Sequence, residues 1–176
     1  MAHAPENTLD AFRLAIQLGA TGLESDEWLT LDGVPVLSHH NRVGPFYRRR
    51  VVGERSAEAG PEALPSLADR YQLGGTNCQV SLDVKDPIVV PEGLALAVQY
   101  RGAPERVWRC HPDWERVASW RELDTRVRLV DSTRLERITE GPERRAALLA
   151  AAQINAINLH QSDWTGGLVA LFHRFG

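Results

Sequence analysis

Glu24 and Asp26 stand two residues apart in the run GLESDEWLTLDGVPVLSHHN, positions 22 to 41, which ends in His39 and His40. The apolar residues around the acids predict a strand LESDEWLT, a turn at Asp32-Gly33 and a second strand, VPVLSH. Side chains two apart in a strand face one way. Glu24, Asp26 and Trp28 therefore point together, and Leu23 and Ser25 point oppositely. A second run, CQVSLDVK at 78 to 85, puts Ser81, Asp83 and Lys85 on one face and Val80, Leu82 and Val84 on the other. Two like-charged carboxylates confined together repel, so one is protonated or both need a cation. Oxygen donors suit Mg²⁺ or Ca²⁺ better than zinc, and Asp83 would complete a set with Glu24 and Asp26. Lys85 would then reach an anion held near that metal. His39 with His40 makes a poor zinc pair, because neighbours in a strand point opposite ways. The plain alternatives are an ExD on an exposed edge strand, a strand-end salt bridge in DVK, and a packed or surface His39.

Such a site needs a scaffold that gathers strand ends, and the chain has the pattern for one. Asn7 or Thr8 can cap a helix with Asp10 in its first turn. Leu9, Phe12, Ala15 and Ile16 recur at helical spacing until Gly19. Residues 42 to 63, rich in Arg, Gly and Pro, read as a loop insertion. A helix from about Ser66 to Leu73 follows, closed by Gly74-Gly75. Then CQVSLDVK precedes a helix over EGLALAVQY, and RVWRC precedes a helix starting near Pro112 with Asp113 in its first turn. RVRLV leads through Asp131, Ser132 and Thr133 into a short helix and a longer one from Pro142 to Ala152. INAINLH leads into a last helix, GGLVALFHRF. This alternation predicts the α/β class, with parallel strands and helices outside, as an open doubly wound sheet or part of a β/α barrel of the TIM type. No GxGxxG or P-loop follows the first strand, which weakens a nucleotide-binding reading. No strand precedes the first helix or follows the last. As a barrel the chain is therefore expected to be incomplete, with about five of the eight strands that close one, in a single partial domain over residues 1–176.

The 176 residues suffice to bury a core, and 43% hydrophobic with 24% charged residues is ordinary for a globular protein. A net charge of −3 carries no basic field for nucleic acid or an anionic membrane. Arg48, Arg49 and Arg50 form a local run, read as a solvated loop with a phosphate-facing loop as the alternative. Cys78 and Cys110 lack CxxC spacing and read as small buried hydrophobes. The tryptophans Trp108, Trp114, Trp120 and Trp164 are expected to pack the core. No segment resembles a signal peptide or reaches transmembrane length, so no membrane span is expected and a cytoplasmic location is.

Read together, the motifs resemble the glycerophosphodiester phosphodiesterase family. PENTLDAF at 5 to 12, GATGLESD at 19 to 26 and LTLDGVPVLSHH at 29 to 40 match its pattern in order and spacing. PSLADRY at 65 to 71 resembles the family's Pro-Thr-Leu-x-Glu helix, and LDVK its Glu-x-Lys strand with aspartate for glutamate. The resemblance implies a β/α barrel with a small insertion. It implies hydrolysis of a small-molecule glycerol phosphodiester, as in phospholipid metabolism, to glycerol phosphate and an alcohol. It further implies Glu24, Asp26 and Asp83 as ligands of one divalent cation, Mg²⁺ or Ca²⁺, His39 as one of an acid/base histidine pair, and Lys85 as a phosphate contact. In the family the substrate's own hydroxyl is thought to attack first, giving a cyclic intermediate that water opens.

There are departures. The chain holds no His-Arg-Gly, and His3 stands too close to Pro5 to take its role. His40 replaces the usual aspartate and is expected to point away from His39. Residues 1–176 alone are therefore expected to turn over little substrate, and an unclosed barrel to be aggregation-prone. A non-catalytic relative that binds a metal or phosphate ester, and a phospholipase C-like phosphodiesterase, are the alternatives.

Overall fold

The structure is a computed structural model and describes residues 3–43, 50–54, 56, 64–74, 78–100 and 104–176. The chain divides into two compact units, Met1–Val107 and Trp108–Gly176.

The first unit is built around β1 (Gly22–Leu29). Helix α1 (Leu9–Gln17) precedes it. Thr8 caps that helix by accepting the Ala11 amide on its hydroxyl, so of the two candidate caps Thr8 takes the role. Gly19 then adopts φ 92° and turns the chain out of the helix. Strand β2 (Pro35–Leu37) folds back antiparallel on β1, pairing Glu27 with Leu37 and Leu29 with Pro35. The turn between them needs the left-handed φ of 76° at Gly33. Two short segments, β3 (Arg42–Val43) and β4 (Arg50–Val51), pair antiparallel and lead into a 3₁₀ turn, Val52–Glu54. There the fully buried Val52 donates its amide to the Asn41 carbonyl. The proposed insertion is thus tied down at its described ends, while Arg48 and Arg49 lie outside the described residues.

Helix α2 (Leu67–Gly74) leads to β5 (Gln79–Val84), which runs parallel to β1 on the side away from β2. The register sets Glu24 beside Ser81 and Asp26 beside Asp83. The opposite face of β5 places Val80, Leu82 and Val84 in the core, with α3 (Val90–Gln99) supplying Val90, Leu94 and Ala97. The packed face is apolar on β5 and on β1 also takes in Ser25 and the fully buried Glu27, while the other face carries Glu24, Asp26, Asp83 and the lysine.

The second unit repeats the alternation. It begins within β6 (Val107–His111), followed by α4 (Trp114–Ser119), β7 (Arg128–Ser132), α5 (Pro142–Ala151), β8 (Ala156–Asn158) and α6 (Gly166–Phe175). β7 runs parallel to both β6 and β8. Asp113 caps α4 and does not sit in its first turn; its carboxylate accepts the Arg116 amide. Asp131 and Ser132 belong to β7 and not to the loop after it. The reason is an ion pair: Asp131 is fully buried, 2.7 Å from the Arg145 guanidinium of α5, which compensates a carboxylate inside the helix–strand layer. Trp120 is buried, Trp114 lies under the Arg145 guanidinium and Trp164 meets Phe172 edge-on, so these three pack as expected. Both cysteines are buried, as their apolar surroundings predict. Among the described residues no helix is long and apolar enough to cross a membrane.

Candidate active site

Asp26 is the centre of the polar face of the first unit. It is 6% exposed, and both of its carboxylate oxygens are engaged. Oδ1 lies 3.0 Å from Lys85 Nζ. Oδ2 lies 3.2 Å from His39 Nδ1 and accepts the Asn7 side-chain amide, also at 3.2 Å. Lys85 Nζ reaches Asp83 Oδ2 as well, at 2.6 Å, so one ammonium bridges the register partners Asp26 and Asp83. The salt bridge and the shared site expected from DVK are therefore the same arrangement.

Each group is delivered by an identifiable element. Alternation along β1 turns Glu24 and Asp26 to one side, and parallel pairing brings Asp83 level with Asp26. Lys85 follows one step past the end of β5, where its amide still donates to the Glu27 carbonyl. His39 sits just beyond β2. Its approach is fixed by the Ser38 amide donating to the Asp26 carbonyl and by Trp28 Nε1 donating to the Ser38 carbonyl at 2.9 Å. His40 does not point away: the two imidazoles meet edge-on with centroids 4.8 Å apart. Strand alternation does not govern that pair, because β2 ends at Leu37.

The electrostatics follow from this crowding. Glu24 keeps solvent contact, yet partial burial of its carboxyl raises its pKa, and repulsion from Asp26 and then Asp83 raises it further. Lys85 and His39 pull the other way. For Lys85, burial works against the charge, but hydrogen bonds to Asp83 and Asp26 outweigh it and raise its pKa. A carboxylate can only accept, so the His39 contact selects the tautomer with its proton on Nδ1 and leaves the Nε2 lone pair open.

All five side chains singled out in the sequence thus meet around Asp26 or act on its neighbours. The donor set has the chemistry of a hard divalent cation site: carboxylates on adjoining strands, with Glu24 penalised by the charges of the other two. Among the described residues no three such groups stand in metal-holding geometry, and the Lys85 ammonium supplies the positive charge between Asp26 and Asp83. A further member is Asn7, which the sequence offers as a helix cap and as part of PENTLDAF and to which it assigns no place in the site. Its signal is a left-handed backbone, φ 52°, which residue types alone do not reveal.

The model of the Glycerophosphoryl diester phosphodiesterase family matches residues 1–74. Glycerophosphodiester phosphodiesterase 1 of Rattus norvegicus is 62% identical over 40 residues, 23% of this chain and 12% of that protein. A glycerophosphodiester phosphodiesterase of Caldanaerobacter subterraneus subsp. tengcongensis is 31% identical over 125 residues, 60% of this chain. The chain spans about half the length of that relative, 51%. Among solved structures, the Thermotoga maritima glycerophosphodiester phosphodiesterase superposes with a TM-score of 0.79 at 17% identity, over 99% of this chain and 76% of its own. An Oleispira antarctica phosphodiesterase, solved with the product sn-glycerol-3-phosphate, gives 0.76 at 19% identity, over 98% and 76%. These likenesses carry the fold: the alternating units are those of a β/α barrel.

Proposed function

We propose that this chain, whose residues 1–74 match the Glycerophosphoryl diester phosphodiesterase family model, is a member of that family and that its site serves metal-dependent hydrolysis of glycerol phosphodiesters to glycerol phosphate and an alcohol. The observation that carries this reading is the buried Asp26 carboxylate, held between Lys85 and His39 and level with Asp83. Glu24, Asp26 and Asp83 would hold one Mg²⁺ or Ca²⁺. When bound, the ion neutralises phosphoryl charge that otherwise repels a nucleophile.

The chain's own residues do the rest. Lys85, kept cationic by the two aspartates, offers its remaining N–H to a phosphoryl oxygen and so favours the charge that builds up there. His39, with Nδ1 turned to Asp26, takes a proton at Nε2 from the attacking hydroxyl. With the substrate's own neighbouring hydroxyl as nucleophile, one P–O bond forms to its oxygen while the P–O bond to the departing alcohol breaks. This gives a cyclic phosphodiester and an alcohol that takes its proton from solvent. Water then attacks phosphorus, returning a proton to solvent, and the ring P–O bond breaks as the ring oxygen takes the proton from His39, leaving glycerol phosphate. Asp26 stabilises the imidazolium formed in between.

The Oleispira neighbour holds glycerol phosphate, which supports this product class. The test is turnover of glycerophosphocholine by the purified chain with Mg²⁺ or Ca²⁺. Turnover is expected to be slow, because these residues hold no His-Arg-Gly, and what there is should be lost in EDTA and in Asp26→Asn; turnover that persists in EDTA removes the metal from the reading. The internal bridging of Asp26 and Asp83 by Lys85 favours one other reading, a protein that binds a metal or phosphate ester without cleaving it. Binding of glycerol 3-phosphate with no turnover under any metal would select that.

A further inference from the structure

We infer that Asn7 is a positioning residue that fixes the Asp26 carboxylate for cation binding, an assignment that rests on the function proposed above. Two demands meet at this residue. Its backbone sits at φ 52°, a conformation that asparagine tolerates better than most side chains. Its amide also faces two partners of opposite kind: Nδ2 donates to Asp26 Oδ2 at 3.2 Å, and Oδ1 accepts from Ser25 Oγ at 2.5 Å. The orientation is not arbitrary. Asp26 has only acceptors to offer and the serine hydroxyl can donate, so the amide must turn its NH₂ to the carboxylate.

The consequence is geometric. Ser25 is 3% exposed and Asp26 6%, both on the packed strand β1, so the amide is anchored to one rigid element at both ends. Lys85 holds Oδ1, and Asn7 with His39 holds Oδ2. Without Asn7 the only side chain left on Oδ2 of those that hold it is His39, whose own side chain is 54% exposed, so the carboxylate is held less firmly about its Oδ1 contact. The helix cap cannot account for the residue, because Thr8 already accepts the Ala11 amide.

Three variants separate positioning from fold maintenance. Asn7→Gly keeps the left-handed backbone and deletes the amide. Ser25→Ala deletes only the hydroxyl that orients it. Thr8→Ala removes the helix cap and leaves the network intact. Calorimetric titration with Mg²⁺ or Ca²⁺ alone should show binding weakened about tenfold in Asn7→Gly, the order seen when a partner that orients a metal ligand is removed. Ser25→Ala should weaken it less, in the same direction, and serves if Asn7→Gly fails to fold. Thr8→Ala should lower the melting temperature with the dissociation constant within about twofold, well short of the change for a lost orienting partner. Crystal structures of wild type and Asn7→Gly give a readout free of metal and turnover, in which the Asp26 side chain should leave its wild-type rotamer. An unchanged Asp26 rotamer with unchanged ion affinity overturns the assignment. If wild type takes up neither ion while the Asp26 rotamer still changes, the positioning role stands and the metal-dependent function falls.

Discussion

Replacing Lys85 by methionine tests the electrostatic logic of the site most directly. Methionine keeps an unbranched chain of similar length and removes the ammonium that lies 2.6 Å from Asp83 and 3.0 Å from Asp26. What remains is a pair of carboxylates level with one another on adjoining strands, with Glu24 already penalised by both. A hydrogen bond to a charged group contributes about 1.5–3 kcal/mol. The Lys85 side chain is 32% exposed, so water screens part of this, and about 2 kcal/mol for the two contacts together is the sensible scale. For a chain of this size that corresponds to a melting temperature about 4–8 °C lower in EDTA.

A divalent cation at 100 times its dissociation constant stabilises the folded state by about 2.7 kcal/mol, enough to offset that loss. In wild type the ion competes with the ammonium; in Lys85→Met it does not. Scanning calorimetry with and without saturating Mg²⁺ or Ca²⁺ should therefore show a larger metal-induced rise in the variant than in wild type. Turnover should move the other way, with kcat/KM for glycerophosphocholine reduced about 100-fold through loss of one phosphoryl-oxygen donor. A variant as stable as wild type in EDTA, or one that metal stabilises no more than wild type, refutes the argument that these acids are held together by a cation.

Two further outcomes concern stability within each unit. Arg145→Met leaves the fully buried Asp131 without its counter-ion and should cost about 3–5 kcal/mol at neutral pH by urea titration. Burial raises the pKa of Asp131 and Arg145 opposes the rise, so in the variant it climbs further. A raised carboxyl gives stability that is present at low pH and lost as pH rises through the folded-state value, so the deficit should shrink when the titration is repeated in acid. Glu140, held down chiefly by its hydrogen bond to Arg145, acts in the same sense, because its contribution to wild type is lost as pH falls. Gly33→Ala meets no atom within 4 Å of its new Cβ, so its cost is backbone alone, about 1–2 kcal/mol for the φ of 76°; a neutral result would show that the turn relaxes.

The site was legible where side-chain direction follows from strand periodicity, and illegible where it does not. Glu24, Asp26, Asp83 and Lys85 could be grouped from residue types because two strands of period two, paired in parallel, put matched positions side by side. That inference needed only the register, and the apolar alternation of Val80, Leu82 and Val84 already fixes which face of β5 is buried. His40 and Asn7 lie where the chain leaves regular structure, and there the alternation rule has nothing to act on. His40 turns edge-on to His39 because β2 stops at Leu37. Asn7 reaches Asp26 because its own backbone is left-handed and its neighbour Thr8 has taken the cap. Asp131 escaped for a different reason: a carboxylate at a strand end reads as the start of a loop until a cation from another element is seen to bury it, and Arg145 lies fourteen residues away on a helix. Periodicity thus locates the groups that a strand presents. The groups that orient them come from turns and helix ends, where a single φ angle or one distant partner decides the direction of the side chain.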